Sequence, residues 1–341
     1  MTELRVHLHR SLDVPAWRAE HARGERPDAT PYGLHKLAEL GYDVLFAPQR
    51  RSTPAELMMA AASRAPGGSP ERIALSWDEF TAVHMAGQER GSRRATGVIW
   101  AVDMLASKDV RIRARLAYLR RVLRGFDLVW CLSEAQVAPL RAWLGAEGPM
   151  VRALRFGVDT DFFSKAPLDS SATVLSVGND RDRDTVTLVR GLELLKAHVP
   201  ELEVRIQTRH EVELPSDFVR LPWMSHTELR AEIERATVMV LATRPNLHVS
   251  GMTASLEAMS VGRPVVLTNT PGADQYVVPG LHGELATVTD PQSLFASVLH
   301  VLNSDPVAYG DRARSAVETG MTSTHMVRQL GDFLSDAIQY A

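Results

Sequence analysis

The sequence predicts an α/β protein made of two Rossmann-like, doubly wound parallel-sheet domains with a cleft between them. Three observations carry that expectation. The chain has 341 residues, too long for one ordinary domain and comfortable for two. Short apolar runs alternate with amphipathic stretches in two successive series, as parallel strands joined by crossover helices do. A polar, turn-rich segment (FGVDTDFFSKAPLDSSA, residues 156–172) separates the two series. The expected division is residues 1–158, residues 159–322, and a last helix over 323–341 free to cross back to the first domain.

In the first series LRVHLH reads as a strand, Leu34 to Leu40 as a helix, and YDVLFAP as a second strand. RIALSW, TGVIWAVD and LVWCLS read as further strands. Two stretches, residues 22–33 and 64–72, are rich in Gly, Pro and charge and read as loops. In the second series ATVLSVG, LEVRIQT, VMVLAT and PVVLTN read as strands. Helices are expected over 185–197, 226–236, 253–261, 291–302 and 325–340. In such sheets ligands sit at the carboxyl ends of the strands, and the cleft between two such domains is the default site.

Composition narrows the class. Hydrophobic residues make up 45% and charged residues 23%, which is ordinary globular usage. Domains of this size bury a core without disulfides or metal. The one cysteine, Cys131, lies in the apolar run DLVWCLS and reads as a core thiol rather than a nucleophile. The N-terminus MTELRVHLHR has charges where a signal peptide needs an apolar core, and no apolar run reaches ~18 residues, so a cytoplasmic location is expected. Residues 1–160 hold 23 basic and 18 acidic side chains, while residues 161–341 hold 15 and 23. A basic first half suits an anionic acceptor or a membrane surface; chance asymmetry between domains is the plainer reading.

The stretch HVSGMTASLEAMSVGRPVVLTN (residues 248–269) is the most informative. A strand ends at Ala242, Ser250 is placed to cap a helix, and Gly262 ends it. The amides of Gly251, Met252 and Thr253 would then lie free at a helix N-terminus, which binds phosphate. Gly251 leaves room for close approach. Glu257 sits one turn in from Thr253 on the same face, where a carboxylate can accept bonds from two vicinal hydroxyls such as those of a ribose. Glu257 can equally serve only the helix. A second constellation is VLSVGNDRDRDTVTLVRGLELL (residues 174–195), a strand, Gly178, a charged loop and a helix. Arg183 lies where loop meets helix, placed to clamp a diphosphate. Arg181 fits a solvated, self-compensating loop.

Together these blocks resemble the retaining glycosyltransferases of family four, the glycosyl transferases group 1, which have the GT-B fold. The family commonly carries SGxTxxLEAMAxGxPVV, and this chain reads SGMTASLEAMSVGRPVV. The likeness continues through residues 272–294, and MVRALRFGVDTDFF (residues 150–163) is similar to the family's interdomain NGVD…F segment. It covers roughly residues 125–305 well and the first 120 poorly. The resemblance implies a nucleotide-diphosphate sugar as donor, with Glu257 on the ribose. Gly251, Met252, Thr253 and Arg183 would hold the diphosphate, Gly178, Asn179 and Ser250 would complete the donor-binding site, and no cofactor or metal is implied. Asn179 stands where the family usually has Arg, and Arg183 matches the family's Lys if one residue is deleted. Val249 stands where the family often has a second glutamate, and Val102 where it has the His of a His-Asp pair, leaving Asp103 as the Asp.

The first domain departs further from the family. Tyr32 and Gly33 lie where the family's glycine-rich loop would meet its helix, and read as acceptor-binding candidates or as cap and packing residues. SWDEFTAVH offers Asp78, Glu79 and His84 after a strand end; the acids can instead serve the start of a helix. Residues 108–125 form a basic amphipathic helix with Ile112, Leu116, Leu119 and Leu123 on one face. Core packing with a solvated basic face is the expected use, peripheral membrane contact the other. Tryptophans 77, 100, 130 and 223 read as core. The sequence shows no aromatic–basic interleaving for nucleic acid, no metal-ligand spacing and no Ser-His-Asp pattern. It sets no oligomeric state.

The expected function is therefore transfer of a sugar from a nucleotide-diphosphate sugar to a hydroxyl of a small-molecule, glycan or lipid-linked acceptor, with retention implied by the resemblance. Arg183, Asp103, Asp78 and His84 are the catalytic candidates. A nucleotide-sugar epimerase of the same fold and an inactive nucleotide-sugar-binding protein are the alternatives.

Overall fold

The computed structural model describes residues 1–48, 68–69, 71–168 and 172–339. The loop expected over 64–72 falls mostly outside them. Two compact units emerge: Met1–Glu20 with Ala29–Arg155 and Met326–Ala341, and His21–Asp28 with Phe156–His325.

The first unit is a six-stranded sheet of β1 (Thr2–His7), β2 (Tyr42–Phe46), β3 (Ile73–Ser76), β4 (Arg93–Gly97), β5 (Leu128–Cys131) and β6 (Met150–Ala153). The strand order is β2-β1-β3-β4-β5-β6, and every pairing is parallel. The chain runs outward from β1 to β2, then returns to place β3 on the other side of β1. That reversal is a topological switch point, where open α/β sheets bind ligands. Helix α1 (Val14–Ala22) and a 3₁₀ stretch (Pro31–Leu40) lie between β1 and β2. Helices α2 (Glu79–Gln88), α3 (Val110–Leu123) and α4 (Glu134–Leu144) follow β3, β4 and β5. Helix α3 buries Leu116 and Leu123 and leaves most of its arginines exposed, so its apolar stripe is spent on packing.

One strand differs from expectation. The run TGVIWAVD was expected as a strand, yet β4 ends at Gly97. The carboxylate of Glu79 accounts for this. It is buried and accepts bonds from the amides of Ile99 (3.0 Å), Trp100 (2.8 Å) and Ala101 (2.8 Å), so a side chain replaces the ladder there. Trp77 and Trp130 are core as expected, as is Cys131, whose thiol burial pushes up to about 12. Trp223 is not: it is 63% exposed, with the Arg209 guanidinium 4.1 Å over its ring.

The second unit repeats the plan. Its strands are β7 (Thr173–Ser176), β8 (Glu203–Gln207), β9 (Val219–Leu221), β10 (Val238–Leu241), β11 (Val265–Thr268) and β12 (Gly283–Ala286). They are parallel in the order β12-β11-β10-β7-β8-β9, so the switch point lies between β7 and β10. The helices are α5 (Thr185–His198), α6 (His226–Arg235), α7 (Met252–Val261), α8 (Pro291–Asn303) and α9 (Pro306–Gly320), while α10 (Ser323–Gln339) belongs to the first unit from Met326 onward. Asp184, Asp290 and Asp305 cap α5, α8 and α9, and Ser225 with Glu228 makes a capping box on α6. Val174, Leu192, Val204, Val240, Val266, Leu294 and Val298 form one buried core.

Strands β6, β9 and β12 and helix α9 were not anticipated. Each of these strands is interrupted by a charge, Arg152, Arg220 or Glu284, and so lacks the continuous apolar run that marks the equally short β5, β7 and β10. Helix α9 contains Gly310 in mid-helix, which argues against a helix by propensity. The glycine is there for packing: a Cβ would come 2.0 Å from the carbonyl oxygen of Gly262. Among the described residues no helix is long and apolar enough to cross a membrane.

Candidate functional site

The switch point of the second unit gathers most of the donor residues expected from sequence. Gly178 follows β7 with φ +123°, and Gly251 precedes α7 with φ +98°. Between them lies the side chain of Arg183. A Cβ on Gly178 would stand 2.3 Å from Nη2 of Arg183, and one on Gly251 would stand 2.8 Å from Nη1. Two residues 73 positions apart are glycines because one guanidinium occupies the space their side chains would need.

Arg183 was expected on a polar loop, and the structure corrects this. The residue is 8% exposed, and its Nε and Nη1 are buried with no hydrogen-bond partner. Burial lowers its pKa to about 10, against the partly offsetting charge of Asp180. A second buried arginine in the same unit shows what a structural guanidinium looks like. Arg263 donates to the carbonyls of Ala166, Pro167, Val261, Gly262, Ile233 and Glu234. Leaving buried donors unmade costs about 1–3 kcal/mol each, and more for charged groups. Arg263 avoids that cost and Arg183 bears it.

The helix terminus also departs from expectation in detail. Gly251 itself is the N-cap of α7, without a side-chain cap. Ser250 turns away: its Oγ donates to Oδ1 of Asp180 at 2.8 Å, a charged acceptor that outcompetes the helix amides. The amide of Met252 is not free, because it donates to the Val249 carbonyl at 3.0 Å. Among the described residues the amides of Gly251 and Thr253 make no hydrogen bond, so two of the three expected donors remain. Val249, where the family often has an acid, is fully buried at φ +51°, a strained conformation for a β-branched residue.

Glu257 lies on α7 and is 8% exposed; burial pushes its carboxyl up to about 8. Among the described residues it has no hydrogen-bond partner, unlike Glu79. Asp180 was missed by the sequence reading. Burial raises its pKa, but the hydrogen bond of His248, the Asp182 amide and Ser250 outweigh this and hold it well below the usual carboxylate range. His248 Nε2 lies 3.4 Å from Asp180 and 3.9 Å from Asp182. Asn179 accepts from the Arg209 amide at 2.8 Å and so ties two loops together. Arg181 pairs with Asp182 at 3.2 Å on the exposed loop, as a solvated residue does.

In the first unit the candidates scatter. Asp78, expected to face an acceptor, is the N-cap of α2. Its Oδ1 accepts from the amides of Phe80 and Thr81 at 2.9 Å each, and its Oδ2 from Thr81 Oγ1 at 3.1 Å. The acid thus serves the helix. Tyr32 stacks on Trp77 with centroids 3.9 Å apart. Burial, and then Asp78, raises its phenol pKa. Tyr32 and Gly33 are consecutive left-handed residues at φ +60° and +66°, which glycine tolerates and tyrosine does not favour. Asp103 sits half-buried on the short 3₁₀ turn Ala101–Met104 beside buried Val102. His84 is exposed on α2.

Among the described residues, α7 and its approach thus bring together two unbonded amides, a buried arginine with unmade donors and a buried carboxyl without a hydrogen-bond partner. Residues 173–304 match the family of glycosyl transferases group 1. The chain resembles that family in sequence and has its GT-B fold. The sucrose-phosphate synthase of Thermosynechococcus elongatus superposes over 99% of this chain and 100% of its own, with TM-score 0.72 and 14% identity. HepE of Anabaena, solved with UDP-glucose, gives 0.69 at 13% identity over 98% and 99%. A glycosyltransferase of Rickettsia africae gives 0.66 at 12% identity over 100% of both chains. Among curated proteins, the glycogen synthase of Mycobacterium tuberculosis is 37% identical over 93 residues, 27% of this chain. The chain's match spans 22% of that relative's length.

Proposed function

We propose that the protein is a glycosyltransferase that moves a sugar from a nucleotide-diphosphate sugar to an acceptor hydroxyl, with retention and without a metal. The observation that carries this is Arg183, a buried guanidinium with two unmade donors between Gly178 and Gly251. In the reaction the bond from the anomeric carbon to the diphosphate breaks, a bond to the acceptor oxygen forms, and the hydroxyl proton leaves to the departing phosphate. Charge grows on the diphosphate, so preorganised donors there lower the barrier. Arg183 and the amides of Gly251 and Thr253 supply such donors. Glu257 accepts from the ribose hydroxyls. The UDP-glucose bound by HepE makes uridine diphosphate and its glucose ester the first ligands to try. Retention rests on the family resemblance.

Thermal denaturation with UDP, ADP, GDP and TDP in the presence of EDTA tests the reading. At ~100 times the dissociation constant the matching nucleotide adds about 2.7 kcal/mol of stability. No shift with any of the four, with or without magnesium, removes the donor site.

A further inference from the structure

The switch point of the first unit carries a site that the transferase reading does not yet use. A cavity of 430 Å³ lies at the carboxyl ends of β1 and β2, beside α2. His7, His9 and Arg10 enter it from the end of β1, Pro48 from beyond β2, and Phe80 and His84 from one face of α2. His7 and His84 therefore line one cavity across 77 positions of sequence. No carboxylate lines the cavity among the described residues.

The state of these groups separates the cavity from an ordinary basic surface. His7 gives Nε2 to Glu89 at 3.2 Å, and that buried carboxylate is shared with Arg5 and Arg72 at 3.4 Å each. Glu89 is thereby committed behind the wall. His9 Nδ1 is 2.8 Å from Ser11 Oγ. Arg10 and His84 make no hydrogen bond or ion pair among the described residues. Among the described residues a guanidinium and three imidazoles line this concavity and no carboxylate does. Concave walls focus such a field, and an oxyanion is the ligand that relieves it. Guanidinium and imidazole N–H groups match phosphate oxygens in charge and direction. Phe80, 54% exposed and stacked on Trp100 at 5.7 Å, gives the cavity an apolar side suited to a sugar face.

We propose that this cavity binds a phosphomonoester carried by the sugar acceptor, with Arg10 and His84 as its principal ligands. The acceptor role rests on the transferase reading; the anion site does not. The substrate class is then a phosphorylated hydroxyl compound, and a phosphorylating reaction must supply it.

Calorimetric titration of the full chain with glucose 6-phosphate, glucuronate and glucose tests the proposal. Glucose 6-phosphate is expected to bind most tightly, by ~10-fold or more over glucose, as a charge-assisted bond to each ligand requires. Arg10→Ala and His84→Ala each lose ~10-fold of that affinity and keep the affinity for nucleoside diphosphate unchanged. Both side chains are exposed, so the variants fold. Glucose binding as well as its phosphate, glucuronate binding more tightly than either, or phosphate affinity indifferent to both substitutions overturns the proposal. A protein that binds the phosphate but turns over no donor keeps the anion site and loses the transferase. One that glycosylates neutral acceptors and ignores the phosphate keeps the transferase and loses the site.

Discussion

The two units share one plan, six parallel strands with one reversal, and use their switch points in opposite ways. In the second unit the charged group is buried. Arg183 is sealed between two glycines and bears an unmade hydrogen-bonding debt before any ligand arrives. In the first unit the lining nitrogen groups are open: Arg10, His9 and His84 reach solvent, and among them only His7 is buried. The difference teaches how each site can bind. A buried, preorganised cation loses little on binding because its desolvation is already met, and it acts on charge that develops late in a reaction. Open polar side chains lose hydration and rotamer freedom at the moment of binding, so they suit recognition of a charge present from the start.

The largest expected effect breaks the comparison at Arg183. Arg183→Met keeps the volume and removes the charge. Turnover should fall on the order of 10²-fold or more, as when a preorganised donor to a developing anion is lost. The free protein should be as stable as the native one or more so, because an unpaired buried charge has gone. Stability and activity then move in opposite directions at one residue. Turnover within a few-fold of native, or a strongly destabilised free protein, would place Arg183 among structural arginines such as Arg263. At Arg10 and His84, by contrast, free-protein stability should stay within ~0.5 kcal/mol.

The second unit was the more legible of the two for a physical reason. Its site hangs on contiguous residues: the strand end, Gly251, Thr253 and Glu257 fall within one helix and its approach, so spacing alone orders them. The burial of Arg183 was not legible, because it depends on glycines at 178 and 251 that meet only in the fold. Ser250 looked like a cap, and only the proximity of Asp180 reveals why it is not one. In the first unit the cavity draws on three separate stretches, and His84 alone stood out in sequence. The end of β4 was hidden for the same reason, since the acid that takes its amides lies 20 residues upstream at Glu79.

Glu257 sharpens the comparison next, since it is an ionisable group that the second unit buries without a hydrogen-bond partner among the described residues. Glu257→Ala should weaken nucleotide binding ~10-fold or more, since it removes the acceptor of two ribose hydroxyls at about 0.5–1.5 kcal/mol each. Its pH dependence follows from burial. The folded protein holds the carboxyl proton up to about 8, while the unfolded chain releases it near 4.5. Between those values the folded state binds more protons, so stability falls as pH rises and this contribution levels off above pH 8. Glu257→Gln cannot ionise and lacks that decline. Its stability relative to native should therefore grow between pH 4.5 and 8, reaching on the order of a few kcal/mol in chemical denaturation without nucleotide. Parallel curves for the two proteins would show a Glu257 already paired in solution.

The smallest effect concerns Asp78, where the open site meets its scaffold. Its carboxylate caps α2, the helix that presents Phe80 and His84 to the cavity. Asparagine caps a helix about as well as aspartate, so Asp78→Asn should leave stability and the acceptor KM nearly unchanged. Alanine removes the cap and should cost about 1 kcal/mol of stability. If Asp78 instead accepted a bond from an acceptor hydroxyl, the order would differ. Losing the charge would weaken a charge-assisted bond, and asparagine would raise the acceptor KM ~10-fold with stability intact. Measuring both variants separates the two roles, because capping tolerates loss of charge but not loss of the oxygen. An asparagine variant with native KM leaves Arg10 and His84 as the groups that read the acceptor, and Asp78 as the residue that sets where their helix begins.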